Sequence, residues 1–252
     1  TWSACVSSQA GCPLGCAFCA TGRNGFTRNL SSEEIEGQIL FWRNYLRKNN
    51  ISGNFGNIVY MGMGEPFLNF AEVSKSLEDL TDPELFGFGS RSISVSTAGV
   101  MDKWIEFTEK FPQVNLALSL HSADQKKREE IMPIARKFNL DFIRKTIKGY
   151  LAKHKRKVFI EYILLSSFND SAQDARELSE YLKSLGKAYL LHVNLIRYNN
   201  TGTEWRSSSS ETARKFLEVL EENHISGTIR QSLGGDIQGA CGQLAGKGER
   251  WK

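Results

Sequence analysis

The sequence predicts an α/β fold in which βα units build a mainly parallel sheet, and three observations carry that expectation. Apolar strand-like runs alternate with amphipathic helix-like runs along nearly the whole chain, the pattern of parallel strands joined by crossover helices. The length, 252 residues, suits an α/β barrel used as a single unit. No low-complexity linker or longer repeat interrupts the alternation, so one domain covering residues 1–252 is expected.

The elements follow in order. Strands are read near residues 2–7, 57–61, 92–97, 114–120, 157–165 and 188–197, and helices near 32–48, 71–80, 100–110, 143–153, 171–185 and 209–223. A further short strand is expected at 228–232, before a glycine-rich tail. Two helix starts carry capping chemistry: Ser31-Ser32-Glu33-Glu34 and Asn169-Asp170-Ser171 place N-cap side chains and early carboxylates where the helix dipole favours them. Right-handed crossovers put the carboxyl ends of all the strands on one face, and sites are built there.

Composition excludes several classes. With 40% hydrophobic, 11% aromatic and 24% charged residues the chain is an ordinary globular one, and global disorder is excluded. Apolar runs such as 158–165, broken by Glu161, fall far short of the ~20 residues of a membrane-spanning helix. Nothing at the N-terminus resembles a secretory signal, and because the chain starts at Thr1 an upstream segment is expected to have been removed. The net charge of +4 is unevenly spread: residues 126–157 carry twelve basic and three acidic side chains, leaving −5 for the rest. Such a stripe suits a polyanion, with Lys153, Lys155, Arg156 and Lys157 as phosphate contacts, or is simply a solvated helix face.

Cysteine usage is the sharpest signal. Of five cysteines, Cys5, Cys12, Cys16 and Cys19 lie within the first nineteen residues and Cys241 near the other end. An odd total with this clustering fits a reducing cytoplasm and a metal or catalytic role better than a disulfide framework. Cys12, Cys16 and Cys19 form C-x3-C-x2-C in a loop after the first strand. Closed by Cys5, they make a tetrahedral zinc site with an unusual gap. As three ligands of a [4Fe–4S] cluster, they leave one iron open to substrate or cofactor.

That spacing is the motif of the radical S-adenosylmethionine (SAM) enzymes, and its neighbours narrow the resemblance. The stretches 5–12, Phe18-Cys19-Ala20-Thr21-Gly22 and Arg28-Asn29-Leu30 resemble the radical SAM adenine methyltransferases of 23S rRNA. So do Met61-Gly62-Met63-Gly64-Glu65-Pro66, Ser96-Thr97, Ser119-Leu120-His121, Asn194-Leu195-Ile196 and Ala240-Cys241-Gly242-Gln243-Leu244. The agreement runs through nearly the whole chain in order, which makes it far more specific than any one motif.

The resemblance implies a partial (β/α)6 radical SAM barrel with one [4Fe–4S] cluster on Cys12, Cys16 and Cys19. It implies two SAM molecules per turnover, and SAM contacts at Gly64, Glu65, Ser96, Ser119, Leu120, His121 and Asn199. In the family, Cys241 is methylated by one SAM, a radical made from a second takes hydrogen from that methyl group, and the carbon adds to the base. Cys5 then resolves the protein–RNA thioether by forming a disulfide with Cys241. The expected substrate is carbon 2 of an adenine in 23S rRNA, with tRNA as a further substrate of that branch; a resistance branch acts at carbon 8. An electron donor such as a flavodoxin, a monomeric state and a cytoplasmic location are further expectations. The family's N-terminal accessory RNA-binding domain, and a glutamate upstream of the cysteine loop, have no counterpart in this sequence. A non-catalytic iron–sulfur or zinc RNA-binding module is the competing class, and it has no need of Cys241.

Plainer readings stand beside several of these. His121 suits a satisfied structural histidine, Ser96 and Ser119 suit caps, and Cys5 and Cys241 suit small buried hydrophobes. The glycine-dense setting of Cys241, after Gly234-Gly235-Asp236, instead suits a movable segment carrying a reactive group. Arg23, Arg28, Lys157 and Arg197 are candidate phosphate contacts, and Trp205 a stacking platform or a cover for apolar surface.

Overall fold

A computed structural model describes residues 2–53, 55–232, 234–235, 237 and 239–244; Asp236 lies outside them. The strands are β1 (Trp2–Cys5), β2 (Gln9–Gly11), β3 (Phe26–Asn29), β4 (Phe55–Tyr60), β5 (Ile93–Thr97), β6 (Asn115–Ser119), β7 (Val158–Leu164), β8 (Leu191–Arg197) and β9 (Ser226–Arg230). The helices are α1 (Ala20–Arg23), α2 (Ser32–Lys48), α3 (Phe70–Thr81), α4 (Trp104–Lys110), α5 (Gln125–Ile131), α6 (Leu140–Lys153), α7 (Ala172–Ser184) and α8 (Ser210–Glu222).

Seven strands form one sheet in the order β1-β4-β5-β6-β7-β8-β9, and every neighbouring pair is parallel. Spatial order follows chain order without reversal, so the sheet winds in one sense as a partial barrel and collects the strands' carboxyl ends at one mouth. The six expected strands are all present, and the short strand expected at 228–232 is β9, the seventh.

Alternation along the strands separates two environments. Outward-facing residues, among them Ile58, Tyr60, Ile93, Val95, Leu116, Leu118, Ile160 and Val193, pack under Ile35, Leu77, Trp104, Ile143, Leu178 and Phe216 of the helices. Each such aliphatic side chain contributes about 1.5–3 kcal/mol of hydrophobic stabilisation. The opposite faces carry polar residues, including Ser96, Ser119, Glu161, Asn194 and Arg230, which interact across the barrel interior. The inside is thus chemically a site, and the core lies between sheet and helices.

Both anticipated caps form. Ser31 and Glu34 make a reciprocal capping box on α2, and Ser171 does the same with Asp174 on α7. Helix α6 begins at Leu140, three residues before the apolar pattern suggests, because Asn139 accepts a hydrogen bond from Phe142 N at 2.9 Å and starts the helix. Three features escaped sequence reading: the antiparallel pair β2/β3, the single turn α1, and α5, whose QKKREEI sequence reads as a charge run. Among the described residues, no helix is long and apolar enough to cross a membrane.

Candidate active site

Strand β1 ends at Cys5, and the chain then enters the β2/β3 hairpin, whose connection carries Cys12, Cys16, Cys19 and α1. The hairpin is pinched at its base: Cys12 N donates to Gly25 O at 2.9 Å, and a Cβ on Gly11 would sit 2.1 Å from that same oxygen. The loop is also pinned from the far side, because Ala17 N donates to Ile131 O at the end of α5. Cys16 is buried, and Cys12 and Cys19 are half-buried.

Burial pushes the Cys12 thiol up to about 11, and the nearby Glu65 and Cys19 charges add to it. Burial raises Cys16 further, with Cys19, Cys12 and Glu65 adding to it and Arg128 opposing. The sulfurs are thus near enough to feel one another. Three soft thiols on one short loop, costly to ionise unless a metal takes the charge, fit an iron–sulfur cluster. Among the described residues no three His, Cys, Asp or Glu side chains converge closely enough for one metal ion. A cluster needs no such convergence, since each of its irons takes a different thiolate.

The Gly62–Glu65 turn follows β4. Its close backbone approach, expected to be toward SAM, is first of all toward the loop after β1. Ser8 N and Gln9 N donate to Met63 O at 2.9 and 3.2 Å, and Met63 N donates to Ser7 Oγ at 2.9 Å. Gly64 has φ +101°, and a Cβ there would meet Gln9 Cβ at 2.6 Å. Glu65 is 2% exposed and accepts from Phe67 N at 3.0 Å and Ala98 N at 2.7 Å, tying the ends of β4 and β5 together. Burial pushes its carboxyl up to about 7, against those two hydrogen bonds.

Ser96, next to the last residue of β5, and Ser119, the last of β6, lie side by side, with their hydroxyls 3.4 Å apart and facing the barrel interior. Leu120 turns its side chain into the core, its N–H donates to Glu161 O, and its carbonyl accepts from Arg128 Nε at 3.0 Å. His121 is buried at φ +61°, a left-handed conformation that non-glycine residues rarely adopt. Its Nδ1 accepts from Ile163 N at 3.0 Å, and its carbonyl accepts from Asn169 Nδ2 at 2.7 Å. Both contacts are ones that a structural histidine makes.

Burial depresses His121 to about 3, reinforced by Arg128. The unfolded chain therefore takes up a proton near pH 6.5 while the folded one does not, so stability from this group falls as pH drops from about 6.5 to 3. Glu65, raised to about 7, acts oppositely and removes stability as pH rises from about 4.5 to 7. The two cancel in part near pH 5–6, so the His121 contribution is expected in the difference between wild type and His121→Asn. That difference, read by denaturant titration, should shrink as pH falls below 6.5, by up to about 1.4 kcal/mol per pH unit.

Cys241 lies across the mouth from these groups. Its loop is docked on α1 through Ala20 N donating to Gly242 O at 2.8 Å and Thr21 Oγ1 donating to Leu244 O at 2.7 Å. Asn199 Nδ2 donates to Cys241 O at 3.1 Å, and Asn199 Oδ1 accepts from Ser232 Oγ at 2.6 Å. Asn199 therefore grips the segment carrying the sulfur. Cys5 and Cys241 are both exposed to solvent, and the protein packed around each raises its thiol. Burial, then Cys5, Cys19 and Glu161, push Cys241 up to about 12 against the pull of Arg230.

The phosphate candidates fare differently. Lys153, Lys155, Arg156 and Lys157 precede β7, so roughly 20 Å of strand separates them from the mouth that holds the cysteines. Arg156 is spent on Gln113 O and Asn115 Oδ1. Within the basic stripe, Arg128 is buried on three backbone carbonyls, and Lys127, Lys137 and Arg144 are in ion pairs. Arg28 pairs with Glu34, Arg23 donates to Thr201 O, and Arg197 donates to Ser208 O and Ser210 Oγ near the mouth. Trp205 packs edge-on against Phe168, covering apolar surface.

Sequence reasoning gave no such role to the amides that hold this architecture, and read Asn169 only as part of a helix start, where Ser171 is the cap. Gln9 Oε1 accepts from Glu65 N, Asn69 Nδ2 donates to Ser8 O and Leu30 O, and Asn169 bridges Leu165 N, Ile163 O and His121 O. All three are buried. An isolated amide residue carries no periodicity, and only the unusual cost of burying it marks it out.

A parallel part-barrel with three cysteines after its first strand defines a class, and the family model described as the Radical SAM superfamily matches residues 6–182. Within that class the similarities are close. The chain is 44% identical over 248 residues to a probable dual-specificity RNA methyltransferase RlmN of Heliobacterium modesticaldum, covering 97% of this chain and 63% of that protein. It is 43% identical over 250 residues to a ribosomal RNA large subunit methyltransferase Cfr of Clostridium botulinum, covering 98% and 70%. A crystal structure of a radical SAM methyltransferase from Sphaerobacter thermophilus superposes with a TM-score of 0.90 at 38% identity, over 96% of this chain and 70% of that one. The chain belongs to the RlmN/Cfr family of radical SAM proteins. It spans about two thirds of its relatives' length.

Proposed function

We propose that the chain is the core of an RNA methyltransferase that passes a methyl-derived carbon through Cys241 to carbon 2 of an adenine in 23S rRNA, with tRNA as a second substrate. The observation that carries this reading is the docking of Cys241 between α1 and Asn199, where its ionisation is opposed by both Cys5 and Cys19. A module that only bound RNA would have no use for a second sulfur pair beside the cysteine loop.

Cys12, Cys16 and Cys19 would hold a [4Fe–4S] cluster, which supplies an electron from a donor such as a flavodoxin and an open iron for SAM. Two SAM molecules are used per turnover. Gly64, Glu65, Ser96, Ser119, Leu120, His121 and Asn199 shape the barrel mouth at which SAM binds: the serines through hydroxyls facing the interior, the others by fixing the strand-end loops. Asn199 holds the Cys241 carrier in register. Both reactive thiols stay protonated at rest, because burial opposes their ionisation. In the final step the Cys5 thiolate attacks the Cys241 sulfur. The S–S bond forms, the S–C bond breaks, and the electron pair goes to the carbon on the base, which takes a proton and becomes methyl. The protein is expected to work as a cytoplasmic monomer.

Carbon 8 is the second reading, favoured by one observation: the Cfr relative is as similar as the RlmN relative. Residues 81–86 and 192–199 also resemble the carbon-8 branch, whereas Gly64-Glu65-Pro66-Phe67-Leu68-Asn69 resembles the carbon-2 branch. The test is to incubate reduced, cluster-loaded protein with labelled SAM and with 23S rRNA or tRNA, then separate the methyladenosine isomers by mass spectrometry. Label in 2-methyladenosine is expected. Label in 8-methyladenosine establishes the second reading, and RNA binding without label in either leaves a binding module.

A further inference from the structure

A charged pair at the barrel mouth belongs neither to the cysteine loop nor to the expected SAM contacts. Glu161, on β7, has a side chain only 4% exposed. Its Oε1 accepts from Asn194 Nδ2 at 2.8 Å, while Oε2 is buried without a hydrogen-bond partner and lies 3.6 Å from Arg230 Nη1. Arg230 is the last residue of β9, one edge of the sheet. Its Nη1 also reaches Met61 Sδ at 3.8 Å, just beyond the end of β4. Strand β4 pairs with β1, the other edge, which ends at Cys5. The guanidinium thus reaches across the open seam of the barrel to Met61, whose backbone faces the Cys5 sulfur, and its charge bears on that sulfur.

We propose that Arg230, oriented by Glu161, is a positioning residue that holds a cation against the Cys5 sulfur and so makes Cys5 the thiol that ionises to attack. This rests on the reading of Cys5 as the attacking thiol. Two groups support a Cys5 thiolate: the Met61 backbone N–H, which faces the sulfur, and Arg230; burial opposes it. The other ionisable groups here are Cys241, which couples to Cys5, and Glu161, whose charge bears on Cys241. Glu161 has its own reason to keep the arginine. Burial raises the cost of its negative charge, and Asn194 and Arg230 offset it. The carboxylate fixes the guanidinium, and the guanidinium supports the nucleophile.

The test measures iodoacetamide alkylation of Cys5 in cluster-loaded protein across a pH series, by mass spectrometry of the Cys5 peptide. R230Q is expected to slow alkylation at neutral pH roughly three- to tenfold and to move its rise to higher pH, with R230K close to wild type. A second arm needs no variant: the guanidinium is 44% exposed, so raising the salt concentration of wild type should also shift the profile to higher pH. An R230Q profile that superposes on wild type, R230K as slow as R230Q, or a profile indifferent to salt each overturns the proposal. RNA methylation is scored separately. An Arg230-dependent profile without methyladenosine keeps the charged pair and discards the RNA reading, whereas methylation with an Arg230-independent profile does the reverse.

Discussion

Cys5→Ala is expected to leave the protein covalently joined to its RNA through Cys241, with product formation halted at that point. The variant keeps every group required up to that bond: Cys241 remains docked by Ala20, Thr21 and Asn199, and the cysteine loop does not depend on the Cys5 side chain. What disappears is the sulfur at the end of β1, whose charge Cys241 feels. On the proposed reading the S–C bond then has no route to cleavage, because the remaining cysteines would be committed to the cluster. The adduct should run as a shifted band on a denaturing gel, with the Cys241 peptide carrying an adenosine mass after nuclease digestion. Cys241→Ala should give neither adduct nor methylated base, while still binding four iron per chain after reconstitution. Full turnover by Cys5→Ala, or an adduct mapped elsewhere, would remove the carrier role of Cys241. The alanine variant should cost little stability, since Cys5 is solvent-exposed and the change removes one sulfur atom.

The architecture was legible because its signals are periodic. Buried strands such as β7 read as apolar runs, the helices between them show apolar stripes, and the order of the two sets the sheet. The motif of Cys12, Cys16 and Cys19 was legible because it lies in their local spacing. Cys5 and Cys241 were recoverable only through resemblance, as 235 residues lie between them and no local pattern links them. The partners of Asn199, Glu65 and His121 were not legible. Each spends polar atoms on backbone: Asn199 on Cys241 O, Glu65 on Ala98 N and Phe67 N, His121 on Ile163 N. Sequence shows that a polar residue stands at a strand end, but its partner is set by the tertiary path of loops that have no period. The same limit hid Glu161 and Arg230, one a break in an apolar strand and the other an ordinary surface cation until β7 and β9 bring them to 3.6 Å.

Gly64→Ala tests how far the glycines of the β4 turn serve packing, and it is expected to lower stability by about 3 kcal/mol. The added Cβ would lie 2.6 Å from Gln9 Cβ, 2.7 Å from Gln9 Cγ and 2.9 Å from Gln9 N, and the last of these is backbone that no rotamer change can move. At φ +101° the alanine is strained even with space around it. Relief requires the turn to leave the β1–β2 loop. That breaks the bonds from Ser8 N and Gln9 N to Met63 O and from Glu65 N to Gln9 Oε1, and it pulls the Glu65 carboxylate from Ala98 N. For a domain of this size such a loss corresponds to a melting temperature lower by about 6–12 °C. Gly149→Ala supplies the contrast. It lies inside α6 with open space around its would-be Cβ, so the variant should melt at or slightly above wild type. Circular dichroism melts of the two variants decide the matter. If Gly64→Ala melts with Gly149→Ala, the tight seam between the turn and Gln9 is not what the motif is for, and close approach to SAM regains first place. If it melts far below while retaining SAM affinity under conditions where it is folded, the glycine was required by the protein's own backbone, and Glu65 owes its place at the strand ends to that packing.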